Sequence, residues 1–417
     1  MDRILFGQLG ANGDCLYATI LARQLRLDYP KAEITWAISS QCTHLLRNNP
    51  YIDHVWEIPV FDWSHHEMLW RVFEREAIRR YQRRDFDGMV LSQIWPNNFH
   101  NYDGTVRSSL LRAYGRRLTV PIENVIHLAD DEIDRVESFA ERARLAEIEH
   151  KILFECSSKS GQSFVTPDKA QDIADELYRI MPQARVIFST HLPMELRDKR
   201  SRHAGSLSLR EIARLTHHVD LFVGAGSGGT VSASSSAARI VPMIQLLAAS
   251  TSVFASFAHD FEYFGLTERP VLEMTAEDPV LIARSIVAAL SNGIEAARAE
   301  FDGRIPVRFD HYFSQVTGCL IRQHRYLDTA RSLMITAERY GWTREIVGFA
   351  REHVLPHLAN DPSWFFAPSR RIAERLEAEL AAAGAGHDTP LLNRRWADGS
   401  AFLEPAFDDT RRATARV

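Results

Sequence analysis

The stretch RILFGQLGANGDCLYATILARQL, residues 3–25, decides the fold. Residues 3–9 read as a strand, and 16–26 as a helix with apolar residues at Leu16, Ile20, Leu21 and Leu25. Between them, Gly7, Gly10 and Gly13 let the backbone turn sharply and approach a ligand closely. The spacing is G-x-x-G-x-x-G, not the G-x-G-x-x-G of dinucleotide-binding turns, and no acidic residue ends the second strand to hold a ribose. A nicotinamide cofactor is therefore not expected. Asp14, in the first helical turn, has two readings: a helix N-cap, or a carboxylate at the mouth of a cleft that takes a proton from an attacking hydroxyl.

Outward from this turn the pattern repeats. Strands are expected at 34–39, 54–58 and 88–94, with helices at 43–48, 67–83 and 130–144. A second series starts at Lys151: strands at 152–156, 185–189, 220–223, 240–246 and 271–273, and helices at 168–181, 209–216, 228–238 and 279–290. Strands alternating with helices imply parallel sheets. From about Arg308 the pattern is helical only (311–337, 344–358 and 369–383), followed by a polar tail. The organisation expected is an α/β chain of two Rossmann-like, doubly wound domains, 1–150 and 151–305, facing a cleft. A helical extension (306–383) and a flexible tail (384–417) complete it.

At 417 residues, with 45% apolar and 25% charged residues, the chain has the composition of an ordinary globular protein. Its net charge of −5 argues against general nucleic-acid binding. Cys15, Cys42, Cys156 and Cys319 form no metal-type spacing and read as reduced, buried thiols. No signal peptide is expected at the N-terminus, and no apolar run approaches the roughly 20 residues that span a bilayer. A cytoplasmic protein, with possible peripheral association at the inner membrane face, is the expectation.

The first loop and the continuation YPKAEITWAISSQCTHLLRNNPYIDHVWEIP resemble the N-terminus of the ADP-heptose:lipopolysaccharide heptosyltransferases, glycosyltransferase family 9. Leu9, Gly10, Gly13, Asp14, Tyr29, Pro30, Trp36, Asn49, Pro50, Ile52, Asp53 and Val55 match in order. The resemblance implies the GT-B fold, a role in lipopolysaccharide biosynthesis, and a nucleotide-diphosphate sugar as donor. It also implies that Asp14 is the general base of an inverting displacement, and that Gly10, Asn12 and Gly13 lie on the acceptor side. No metal and no cofactor are expected.

The second half carries two candidate donor loops. After its first strand come Ser157, Ser158, Lys159 and Gln162, whose hydroxyls, amides and cation suit a diphosphate. The family has paired hydroxyls here and a phosphate-binding lysine a few residues later. Gln162 falls near that lysine's position, with Lys159 three residues early. The segment GAGSGGTVSASSSAARIVPMIQL resembles the family's second signature, and the N–H groups of Ser227, Gly228, Gly229 and Thr230 at a helix start attract phosphate. Two departures stand out: the family's aspartate is Gly226 and its later histidine is Val231. They imply either a changed donor or a lost activity.

Trp95, Asn97 and His100 follow a strand of the first half; they suit a sugar acceptor, or form a plain connecting loop. The pairs His65-His66 and His217-His218 lack metal-ligand spacing. Trp364-Phe365-Phe366 reads either as packing of the C-terminal helices or as a contact with a membrane or partner. The function expected is glycosyl transfer to a glycan or lipopolysaccharide-type acceptor, with closure of the two domains excluding water. The alternatives are an inactive GT-B-like nucleotide- or glycan-binding protein and a nucleotide-sugar epimerase of the same fold.

Overall fold

A computed structural model describes residues 2–60, 62–158, 161–301, 304–392 and 394–396. Four parallel strands form the first sheet: β1 (Arg3–Gly7), β2 (Glu33–Ser39), β3 (His54–Ile58) and β4 (Gly88–Leu91), in the order β3-β2-β1-β4. Six form the second: β5 (His150–Glu155), β6 (Ala184–Ser189), β7 (Arg202–His203), β8 (Leu221–Gly224), β9 (Met243–Leu246) and β10 (Val271–Met274). Their order is β10-β9-β8-β5-β6-β7, again all parallel. The chain winds outward from β1 through β2 to β3, then returns to place β4 on the other side. It does the same around β5. Each sheet therefore has a switch point, β1/β4 and β5/β8, where the loops at the carboxyl ends of the strands diverge and leave a crevice. Two such parallel sheets with helical layers make the GT-B architecture.

Period-2 alternation divides the cores. Ile4 and Phe6 of β1 face a central cluster, whereas Leu5 faces Trp70 and Phe73 of the outer cluster. In β5, Leu153 joins the central cluster, whereas Ile152 and Phe154 face a separate outer cluster of the second half, with Ile173 and Leu177. The central cluster is continuous across the sheets: it takes Cys15, Leu16 and Ile20 from α1 (Asn12–Asp28) and Phe222, Val231 and Met243 from the second half. Polar contacts cross the same junction: Arg210 of the second half meets Glu132 of the first at 2.8 Å, both buried.

The other helices are α2 (His66–Gln82), α3 (Val106–Arg112), α4 (Asp130–Arg142), α5 (Pro167–Ile180), α6 (Leu209–Leu215), α7 (Gly228–Ala233), α8 (Phe257–Phe264), α9 (Pro279–Asn292) and α10 (Ile294–Phe301). The extension holds α11 (Asp310–Cys319), α12 (Tyr326–Tyr340), α13 (Arg344–His353) and α14 (Ala367–Ala383). Several boundaries change: the helix expected at 344–358 ends at His353, the one at 43–48 is a 3-10 turn over Thr43–Leu46, and the strand expected at 240–246 starts at Met243. The strand expected at 88–94 ends at Leu91. The helix expected at 228–238 stops at Ala233, before Ser234, whose hydroxyl donates back to the Val231 carbonyl. The helix expected at 311–337 breaks between Cys319 and Tyr326, where His324 takes a left-handed φ of 58°. Cys15, Cys42 and Cys156 are buried and Cys319 is half-buried; all four are free thiols.

A buried charged cluster ties three elements together. Asp103 is fully buried and meets Arg112 at 2.8 Å and Arg339 of α12 at 3.1 Å. Arg107 of α3 meets Asp260 of α8 at 3.3 Å and lies over the Tyr17 ring. Arg339 in turn stacks 3.9 Å from the Tyr263 ring centroid. First half, second half and extension are thereby clasped at one place.

Candidate active site

The two switch points face each other. A β-carbon on Gly13, near the start of α1, would lie 3.5 Å from Val231 and 3.7 Å from the backbone of Gly228, at the start of α7. The two helix starts are thus near neighbours, with room for no more than a β-carbon between them.

On the first side, two buried glutamines fix the loop after β1. Gln8 donates through Nε2 to the Gly10 carbonyl (2.8 Å) and to Gln93 Oε1 (2.9 Å). Gln93 Oε1 also accepts from the N–H groups of Leu9 and Gly10. Ser92 Oγ donates to Gln8 Oε1. Asp14 is the third residue of the helix, not its N-cap, and its carboxylate accepts from the Ala11 N–H at 3.3 Å. Burial pushes its carboxyl up to about 7, against the lowering effect of that hydrogen bond. A carboxyl tuned there exchanges protons near neutral pH, as a general base must. Asn12, beside Gly228, carries a buried Oδ1 without a hydrogen-bond partner among the described residues.

On the second side, Ser157 Oγ lies 3.1 Å from Thr190 Oγ1. Ser158 has its own interaction, and the Gln162 carbonyl accepts from the Ala248 N–H. Lys159 lies outside the described residues. The loop after β8 is organised by a residue the sequence reading did not select. Glu155, the last residue of β5 and 4% exposed, accepts from the Ala225 N–H (2.9 Å), the Thr230 hydroxyl (2.7 Å) and the Ser227 hydroxyl. Gln245 of β9 backs it, accepting from the Gly226 N–H at 3.1 Å. The hydroxyls of Ser227 and Thr230 are thus held by the protein's own carboxylate. A β-carbon on Gly229 would lie 2.2 Å from Glu155 Oε1, which explains a glycine there. Gly226, where the resembling family has aspartate, has φ +63° and faces Leu247, so its backbone favours glycine.

These polar groups had a signal in the sequence. The strands ILFE, MIQL and VLEM each carry one polar residue near the carboxyl end of an apolar run: Glu155, Gln245 and Glu273. Gln245 pairs in register with both Gly224 and Glu273, so the groups form a buried polar row along the edge nearest the site. Glu273 is satisfied by the Ser256 hydroxyl and the Ala258 N–H.

The extension packs against two of the acceptor-side candidates. Trp95 packs with the cluster of the C-terminal helices. His100 is buried, with Nδ1 4.0 Å from Asp328 of α12. The extension covers this segment, because Phe99 and Tyr102 share its apolar core. The side chain of Asn97 lies outside the described residues. Among the described residues no three His, Cys, Asp or Glu side chains are grouped so as to hold a metal.

No protein-family model and no curated protein matches the chain. Similar solved structures include a family 9 glycosyl transferase from Veillonella parvula, 16% identical over 70% of this chain and 89% of that one, TM-score 0.46. The E. coli ADP-heptose lipopolysaccharide heptosyltransferase II is 15% identical over 70% and 98%, TM-score 0.43. A candidate UDP-N-acetylglucosamine 2-epimerase from Listeria monocytogenes is 11% identical over 78% and 96%, TM-score 0.44. At such identities the likeness concerns the course of the chain and not its substrate.

Proposed function

We propose that this chain is a glycosyltransferase that moves a sugar from a nucleotide-diphosphate donor to a glycan or lipid-linked acceptor hydroxyl, with inversion. The observation that carries the reading is Asp14: a carboxyl held near neutrality at the start of α1, where the switch points of the two sheets meet. In the reaction the acceptor hydroxyl gives its proton to Asp14 while its oxygen attacks the anomeric carbon. The bond from that carbon to the phosphate oxygen breaks, and the nucleoside diphosphate leaves. Asn12 Oδ1, buried and without a hydrogen-bond partner among the described residues, is the acceptor we assign to a substrate hydroxyl or amide. Ser157, Ser158, Lys159, Gln162 and the N–H groups of residues 227–230 make up the proposed donor side, and the step needs neither metal nor cofactor. The work would be done at the cytoplasmic face of a membrane, in envelope glycan synthesis.

The test is a thermal-shift panel of ADP-, GDP-, UDP- and CMP-sugars, followed by turnover with wild type and Asp14→Asn. Stabilisation by one donor and transfer that is lost in the variant are expected. If no donor stabilises the protein, the reading fails.

Glu155 favours a second reading. A carboxylate already engages the Ser227 and Thr230 hydroxyls expected for the donor. A GT-B-like protein that binds a nucleotide or glycan without turnover would show stabilisation by a ligand but no product with any acceptor. An epimerase would instead convert the nucleotide sugar with no acceptor present.

A further inference from the structure

The turn between α13 and α14 displays two phenylalanines that nothing covers among the described residues. Phe365 is 84% exposed, more than any other large apolar side chain described, and Phe366 is 61% exposed. The turn is pinned. Asp361 accepts from the Leu327 N–H of α12 (2.8 Å) and from the N–H and hydroxyl of Ser363. The N–H groups of Trp364 and Phe366 close it onto Asp361 and Ser363. Trp364 packs inward on the cluster that also holds Trp95. The neighbouring rings are therefore held outward by a structured support.

The charges beside them are also unusual. Residues 362–371, PSWFFAPSRR, hold two arginines and no acid. Arg370 in the first turn of α14 and Arg371 just after it are exposed, and that turn contains no acidic residue. The helix dipole makes that the least favourable end for a cation. Neither guanidinium has a carboxylate partner among the described residues, so helix stability does not account for them.

We infer that this turn is a docking point for an anionic lipid bilayer, with Phe365 and Phe366 entering the headgroup boundary and Arg370 and Arg371 facing lipid phosphates. Aromatic rings favour that boundary, and basic side chains beside it are each worth about fivefold in affinity on anionic membranes. Because the supporting cluster also packs Ile94, Trp95, Phe99 and Tyr102, docking would bring the first half's side of the site toward the membrane. The inference requires neither donor nor acceptor and is tested apart from the transferase reading.

The experiment is co-sedimentation of the full chain with vesicles of phosphatidylcholine alone or mixed with phosphatidylglycerol. Wild type should sediment with the mixed vesicles, weakly with phosphatidylcholine, and less as salt rises. The double variant Phe365→Ser/Phe366→Ser should lose binding. Arg370→Glu/Arg371→Glu should lose at least about tenfold on mixed vesicles, with the thermal midpoint unchanged in both. Either Phe single variant serves if the pair is unstable. The inference is overturned if wild type stays in the supernatant, if the Phe variants bind as wild type does, or if light scattering finds a dimer that these substitutions dissociate.

Discussion

The hydroxyl of Thr230 donates to the Glu155 carboxylate at 2.7 Å, so the loop that opens α7 is organised around a charge that belongs to β5. Glu155→Ala leaves the Ala225 N–H and two hydroxyls without their acceptor and should cost about 2–4 kcal/mol in denaturant unfolding. Glu155→Gln, which keeps one oxygen, should cost less. An unchanged midpoint in the alanine variant would remove Glu155 as the organiser.

Gly229→Ala should disturb the same contact, since its new carbon would lie 2.2 Å from Glu155 Oε1. Combined with Glu155→Ala, the two losses should sum to less than their separate values, because both break one interaction. A double-mutant cycle reads this directly. Strict additivity would mean the glycine is required for another reason.

Gly226→Asp restores the residue found in the resembling family, but in this backbone it should destabilise. The φ of +63° strains a side chain, and the β-carbon would come 2.7 Å from Leu247. We expect a loss of about 1–3 kcal/mol, partly recovered by Leu247→Ala. A gain in stability would show that the loop can take another course.

Asp14 makes a signed pH prediction. Its folded carboxyl titrates at about 7, above the ordinary value of 3.8. Between those values the folded state keeps a proton that the unfolded state has released, so stability falls as pH rises through this window. Asp14→Asn should remove that fall, and its thermal midpoint relative to wild type should climb from pH 4 to pH 7. Turnover in wild type should rise through pH 7 as the base ionises. A flat difference across the window would place the Asp14 carboxyl in an ordinary aqueous setting.

Asp103 has the opposite sign. Burial alone would raise its carboxyl, but Arg112 and Arg339 outweigh it and hold it below the usual carboxylate range. Its contribution is present above the unfolded value and is lost as pH falls through and below it. Arg339→Met should cost about 3–5 kcal/mol at neutral pH and move acid unfolding to higher pH. Acid titration followed by circular dichroism would measure the shift.

Most of the fold was legible because parallel βα units write themselves as alternating apolar runs and amphipathic stretches. The boundaries missed were those set by tertiary context. The break after Cys319 carries no proline or glycine pair to announce it, and α7 ends where the Ser234 hydroxyl bonds back to the Val231 carbonyl. In the site, Asp14 and the glycines were legible because a turn has few chemical solutions. Glu155 was not selected because a strand-end acid reads as solvent-facing until its neighbours supply three donors. Trp95 and His100 were assigned to the cleft by their place after a strand. Only the packing of the extension, through Phe99 and Tyr102, puts them under a helical layer.

The central core also bears on how the chain behaves as a material object. Phe6 and Ile20 share one apolar cluster with Phe222 and Met243. Cutting the chain between the sheets would leave each fragment with a bare hydrophobic face. The two halves, although each resembles a complete Rossmann unit, are therefore not interchangeable parts. They should unfold in one transition, and separately produced halves should be insoluble until mixed.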